Sequence, residues 1–96
     1  MARLVISPLA QHDLDKIWDY TCDHWDWRQA DRYTESIKTA CGDLAAGLRR
    51  GRSCDDIRTG YCRLAVGSHI IFYKQDTGII DVKRILYQSM DFQRHL

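Results

Sequence analysis

The chain has 96 residues, of which 28% are charged and 45% are hydrophobic, and its formal net charge is +1. These values are typical of one soluble domain with one modest core, and they exclude a strong overall attraction to nucleic acid. Residues 11–48 carry 8 acidic and 4 basic side chains, whereas residues 49–96 carry 5 acidic and 9 basic ones. The basic second half suits an acidic partner, although solvated surfaces often show the same imbalance.

The spacing of the cysteines and the length of the apolar runs argue against a metalloprotein, a secreted protein and a membrane protein. None of Cys22, Cys41, Cys54 and Cys62 forms a Cys-x-x-Cys pair, and none has a histidine at ligand spacing, so we expect neither a metal nor another cofactor. Residues 1–10 lack the long apolar run of a signal peptide, and no stretch approaches transmembrane length. We therefore expect a cytoplasmic protein with reduced thiols and no membrane partner.

The first half of the chain predicts a strand followed by two helices. Leu4–Ile6 is a short apolar run, and Ser7 with Pro8 is typical of a helix start. An apolar residue recurs at helical spacing up to His24, which predicts one amphipathic helix with the stripe Leu14, Ile17, Trp18, Thr21 and Trp25. Asp26 with Gln29 predicts the start of a second helix, whose stripe is Ala30, Tyr33, Ile37, Ala40, Cys41, Leu44 and Leu48. The connection is so short that the helices must form an antiparallel hairpin.

The second half predicts a connector and an antiparallel meander. Residues 49–60 are rich in glycine and arginine, with one short strand predicted at residues 56–58. The arginines of this connector either solvate a loop or form a phosphate-contacting patch. Strands are predicted at residues 61–66, 69–74 and 79–87, with Gly67-Ser68 as a type II′ turn that places Val66 opposite His69. One face of this sheet should carry the helices, which leaves the other free to bind a partner.

The last strand contains an arginine among apolar residues. Read with period two, Ile80, Val82 and Leu86 share a face with Arg84. An arginine in such surroundings is either a structural ion pair or a functional cationic site. Arg63, Arg84 and Tyr87 on neighbouring strands form a weakly specific constellation that could serve phosphate chemistry, with the arginines stabilising charge and the tyrosine relaying a proton.

Five segments in order resemble the ParE branch of the RelE/ParE toxins. The first is Asp13-Leu14 with Ile17–Thr21 and Trp25, and the second is Gln29–Tyr33. The third is Gly51-Arg52 with Asp55–Arg58, the fourth is Gly67 with His69–Tyr73, and the fifth is Arg84–Leu86 with Met90-Asp91. The resemblance implies an α+β fold spanning residues 1–96 as a single domain, with a β-α-α-β-β-β order and a short C-terminal helical tail. It also implies the toxin of a type II toxin–antitoxin pair.

The resemblance further implies partners and sites. The expected partner is a ParD-like antitoxin in a heterotetramer or larger assembly, bound at Trp18, Trp25, Trp27, Tyr33 and Phe72. The expected target is DNA gyrase, met by Met90, Asp91, Arg94 and His95, with no catalysis and no sequence-specific nucleic acid binding by the toxin alone. Tyr87 stands where histidine is frequent in the ParE branch, so a RelE-type, ribosome-dependent endoribonuclease using Arg63, Arg84 and Tyr87 stays open as the alternative.

Overall fold

The computed structural model describes all 96 residues and confirms the predicted α+β architecture. The helices and strands, in chain order, are β1 (Arg3–Ile6), α1 (Pro8–His24), α2 (Trp27–Ala46), β2 (Arg52–Ser53), β3 (Tyr61–Val66), β4 (His69–Asp76), β5 (Ile79–Tyr87) and α3 (Phe92–His95). The five strands form one sheet in the order β1-β5-β4-β3-β2, in which β1 is parallel to β5 and every other pair is antiparallel.

Both long helices begin where the side-chain caps predict. Ser7 Oγ accepts a hydrogen bond from the Ala10 N–H, and Asp26 Oδ1 accepts one from the Gln29 N–H. These bonds satisfy amide donors that have no partner inside a helix. Helix α2 ends at Gly47, whose positive φ of 77° is the left-handed conformation that glycine adopts without strain.

The helical hairpin packs on one face of the sheet. Its stripes meet β4 and β5 in a core whose buried members are Ala10, Leu14, Ile17, Ile37, Ala40, Cys41, Leu44, Ala45, Ile71, Tyr73, Ile80, Val82 and Ile85. The predicted stripes are wrong at two helix ends. Trp25 is 68% exposed because it follows the last turn of α1, and Leu48 is 76% exposed because the chain has already turned at Gly47.

The opposite face of the sheet is covered rather than free. Cys54, Phe72 and Leu86 are buried there, with Ile57, Tyr61, Ile70, Phe92 and Leu96 packed around them. The covering segments are α3 and the connector, so the expectation of an open sheet face is wrong. The connector strand also lies at Arg52–Ser53 and not at residues 56–58, because residues 54–60 form the turn that leads into β3.

The hairpins have the predicted register until a bulge interrupts it. Val66 lies opposite His69, as expected, and the same register places Cys62 opposite Tyr73. Gly67 has the positive φ of 57° that a type II′ turn requires. In β5, however, Tyr73 pairs with Val82 while Phe72 pairs with Arg84, so that one extra residue, Lys83, is accommodated. Beyond it the alternation is inverted, which places Ile85 in the hairpin-side core and Leu86 in the opposite one.

All four cysteines are free thiols, and burial raises the pKa of Cys41 to about 11. No group of histidine, cysteine or carboxylate side chains could hold a metal ion. Neither long helix combines the length and the apolar character that crossing a membrane requires.

Candidate functional site

An aromatic cleft opens between the turn of the helical hairpin and the start of β4. Its volume is about 650 Å³, which is in the range of binding pockets. The residues that line it are Lys16, Ile17, Tyr20, Thr21, Trp25, Gln29, Tyr33, Ser68, His69 and Tyr87. Tyr20, Trp25 and Tyr87 are 60%, 68% and 46% exposed, so large apolar surfaces lie in solvent beside one another. A concentration of exposed aromatic area of this kind is typical of a protein-binding surface.

The floor of the cleft is built by Tyr33 and the β3–β4 turn. The Tyr33 hydroxyl lies 2.6 Å from His69 Nδ1 and accepts a hydrogen bond of 3.0 Å from the Ser68 N–H. The ring passes directly over Gly67, where an added Cβ would meet the Tyr33 ring at 2.7 Å. Glycine is therefore required here by the close approach as well as by its positive φ.

The surroundings of His69 favour its neutral form. Burial lowers its pKa below the ordinary value of 6.5, although the charge of Asp13 acts in the opposite direction. A neutral imidazole that carries its proton on Nε2 can accept a hydrogen bond from the Tyr33 hydroxyl at Nδ1. Lys16 is then the one charged side chain that lines the cleft, which favours a ligand that is mainly apolar and carries one acidic group beside Lys16.

The residues predicted to bind an antitoxin are only partly brought together. Trp25 and Tyr33 line the cleft. Trp18 lies outside it, half-buried with its indole N–H donating to Asp31 at 2.8 Å, and Trp27 is 54% exposed but does not line the cleft. Phe72 is 0% exposed beneath Phe92, so it cannot touch a partner in this conformation.

Sequence reasoning missed Lys16, Tyr20 and His69. Lys16 and Tyr20 lie one turn apart on α1, on the same side as Ile17, and this spacing is the signal that could have found them. His69 directly follows the β3–β4 turn, and no motif marks its approach to Tyr33, which lies 36 residues earlier.

A second arrangement joins α1, β5 and the tail through Arg84. Its Nε and one terminal nitrogen donate to the two carboxylate oxygens of Asp13 at 2.8 and 2.9 Å. The other terminal nitrogen donates to the carbonyl oxygen of His95 at 2.9 Å. The hydrogen bond to Asp13 and its charge raise the pKa of Arg84 above its ordinary value. Arg84 therefore forms an ion pair with Asp13 and also anchors the tail through His95.

The tail residues predicted to meet a target lie on the outside of that anchor. Phe92 packs against Phe72 with the ring centroids 4.8 Å apart and the ring planes tilted by 57°, and Leu96 packs on the same core. Between these contacts the side chains of Asp91, Gln93, Arg94 and His95 are exposed, and Met90 is 37% exposed. The predicted target-contacting residues therefore share one accessible segment.

The predicted nuclease constellation is not assembled. Arg63 and Arg84 lie opposite Phe72, on the sheet face away from the hairpin, whereas Tyr87 lies opposite His69 and lines the cleft on the other face. The guanidinium of Arg84 is already bound to Asp13 and His95. Arg63 and Tyr87 therefore lie on opposite faces of the sheet.

Comparison with known proteins decides the family. A sequence model described as "ParE toxin of type II toxin-antitoxin system, parDE" matches residues 4–92. The chain belongs to the ParE toxin family. It is 46% identical over 96 residues to Toxin ParE1 of Mycobacterium tuberculosis H37Rv, an alignment that covers 99% of this chain and 98% of that protein.

One further relative and one solved structure extend the comparison. Toxin ParE1 of Caulobacter vibrioides is 35% identical over 92 residues, which cover 95% of this chain and 94% of that one. A solved structure titled "Chromosomal ParDE TA system from P. aeruginosa" matches with a TM-score of 0.78 over 91% of this chain and 96% of that chain. At 21% identity this likeness shows the fold alone. In this ParE-family chain, the cleft lies wholly within the matched residues 4–92, while Arg94 and His95 lie beyond them.

Proposed function

We propose that this ParE-family toxin is neutralised by a ParD-like antitoxin that occupies the aromatic cleft. The observation that carries the proposal is the exposure of Tyr20, Trp25 and Tyr87 around one opening of about 650 Å³. An amphipathic segment that folds on binding would bury these rings and place an acidic residue beside Lys16. The assembly is a heterotetramer or larger, which light scattering of the purified complex measures.

The test of the cleft is calorimetry with the C-terminal segment of a ParD-like antitoxin and the full-length toxin. Burial of aromatic surface coupled to folding gives a negative change in heat capacity. Replacing Trp25 by Ala should weaken binding about tenfold or more, as expected for an aromatic anchor at an interface. Trp27→Ala removes a similar side chain outside the cleft and is the matched control. Equal effects of the two variants, or binding without a heat-capacity change, would place the antitoxin elsewhere.

We propose further that the toxin acts in the cytoplasm by binding DNA gyrase, and not by catalysing a reaction. The exposed tail formed by Met90, Asp91, Arg94 and His95 would contact gyrase, since it lies apart from the cleft and is held in place by Arg84. The separation of Arg63 from Tyr87 on opposite sheet faces supports a binding mode of action.

Two assays on the purified toxin separate binding from cleavage. Added to gyrase and relaxed plasmid, the toxin should block supercoiling or trap cleaved DNA. Added to a cell-free translation system, it should leave the messenger RNA intact. Cleaved messages together with unaffected gyrase would instead identify a RelE-type endoribonuclease.

A further inference from the structure

Three arginines lie in one row across the sheet face that is turned away from the helical hairpin. Arg52 on β2 pairs with Arg63 on β3, Arg63 pairs with Phe72 on β4, and Phe72 pairs with Arg84 on β5. Directly opposed residues of neighbouring antiparallel strands place their side chains on the same face, about 5 Å apart at Cβ. We call Arg52, Arg63 and Arg84 the arginine row.

One end of the arginine row is neutralised and the other end is not. Arg84 pairs with Asp13, and the other ion pair of the structure joins Asp81 to Lys83. Arg52 and Arg63 therefore have no carboxylate partner. The Nε of Arg63 is also the one buried side-chain nitrogen or oxygen without a hydrogen-bond partner. A buried donor without an acceptor is unfavourable, so the hydrogen-bonding capacity of the Arg63 side chain is not fully satisfied within the chain.

The local charge reinforces this free end. Residues 49–63 contain five arginines and two aspartates. Asp55 accepts the Gly60 N–H at 2.8 Å and is thus committed to the turn, while Asp56 is exposed. Like charges placed directly opposite on neighbouring strands destabilise a sheet. The opposed pair Arg52 and Arg63 therefore weakens the edge of this fold, and an anionic ligand would offset that repulsion.

We infer that Arg52 and Arg63 bind the phosphodiester backbone of nucleic acid without reading its sequence. The planar guanidinium group donates two parallel hydrogen bonds to phosphate oxygens. Two cations on neighbouring strands, Arg52 and Arg63, suit a polymer whose charge repeats, and such contacts position a nucleic acid without specifying bases. This activity goes beyond the proposed function, because it requires neither antitoxin nor gyrase. The cleft lies on the other sheet face, so an antitoxin segment bound there would not cover Arg52 and Arg63.

The experiment is fluorescence anisotropy of the full-length toxin with a labelled single strand and a labelled duplex of random sequence, from low to physiological salt. Binding should weaken as salt rises, because each phosphate contact releases a counterion. The double variant R52Q/R63Q should bind about tenfold less tightly at low salt. Its slope of log affinity against log salt should be shallower by about 1.4–1.8, which corresponds to two lost contacts.

Two matched double variants distinguish a specific binding site from a general effect of positive charge. R28Q/R32Q removes the same charge from exposed positions of α2 and should leave affinity and slope nearly unchanged. R52K/R63K keeps the charge and should retain most of the slope. Circular dichroism shows whether each variant is folded. If the double variant unfolds, the single variant R52Q replaces it in the binding test, because Arg52 is exposed. No binding at low salt, equal losses in R28Q/R32Q, or tighter binding of polyglutamate than of DNA would each overturn the inference.

Discussion

Asp13 and Arg84 lie 71 residues apart in sequence and form a two-point ion pair, with nitrogen–oxygen distances of 2.8 and 2.9 Å. Asp13 Oδ2 also accepts the backbone N–H of Ile85 at 3.0 Å. Strand β1 pairs only with residues 79–82 of β5, so this N–H lies on an edge that β1 no longer covers. The Asp13 carboxylate thus provides an acceptor for the free N–H at the edge of β5, and it also orients Arg84, which anchors the tail.

Replacing Asp13 by Asn should destabilise the protein strongly. The side chain of Asp13 is 9% exposed, and its removal as an anion would leave the guanidinium of Arg84 partly buried without a counter-charge. Breaking a buried pair in this way costs about 3–5 kcal/mol, which urea denaturation measures. Asp15→Asn changes the same charge at an exposed position of α1 and should stay within about 0.5 kcal/mol of wild type. Similar values for the two variants would show that the pair contributes little.

The period-two pattern predicts β5 correctly as a strand but assigns its faces incorrectly. Ile79–Tyr87 is the strand expected, yet Leu86 lies on the face opposite Ile80 and Val82. A bulge arises from the fit between two strands, and both faces of β5 are partly apolar. The sequence of β5 therefore contains no local sign of where the alternation inverts.

The candidate cleft was predictable only in part for a related reason. Helix periodicity identifies α1 and α2, but it does not tell which residues at a helix end remain exposed, as Trp25 illustrates. Tyr33 and His69 come together through tertiary packing across the Gly67 turn. By contrast, residue character alone separates the two sides of the tail, because the apolar Phe92 and Leu96 pack on the sheet and the charged or polar Arg94 and His95 are exposed.

Replacing Tyr87 by Phe should leave toxicity nearly intact. The change removes a hydroxyl and little volume, and the ring keeps its edge contact with His69, whose centroid lies 5.6 Å away. A proton-transfer role for Tyr87 would predict a loss of roughly 10²-fold or more in cleavage. The measurement is growth arrest after induction without antitoxin, at matched protein levels. A folded, antitoxin-binding Y87F protein without toxicity would favour the nuclease alternative.

Stability should decrease as pH falls below about 6.5 because of His69. Burial lowers the pKa of His69 in the folded state, so in this window the unfolded chain binds more protons than the folded one. The free energy of unfolding then rises with pH, is fully present above pH 6.5 and is lost progressively as pH falls towards the folded-state pKa. Urea titrations between pH 5 and 8 should show this slope in wild type and a smaller one in His69→Gln. An identical slope in both proteins would assign the effect to other groups.

The tail should be required for toxicity and not for antitoxin binding. Removing residues 93–96 is a poor test, because Leu96 packs on the second core and the carbonyl oxygens of His95 and Leu96 accept hydrogen bonds from Arg84 and Arg58. The double variant R94A/H95A removes exposed side chains and keeps those backbone contacts.

Surface changes of this kind usually alter stability by less than about 0.5 kcal/mol each, so the fold and the cleft should be unaffected in R94A/H95A. Growth arrest and inhibition of gyrase should nevertheless fall sharply, while calorimetry with the antitoxin segment should give the wild-type affinity. Phe92→Ala is the structural control, since losing the ring contact with Phe72 should lower the melting temperature as well as toxicity. Full toxicity of R94A/H95A would show that the target is met elsewhere on the surface. Weaker antitoxin binding in the same variant would show instead that the tail belongs to the antitoxin interface.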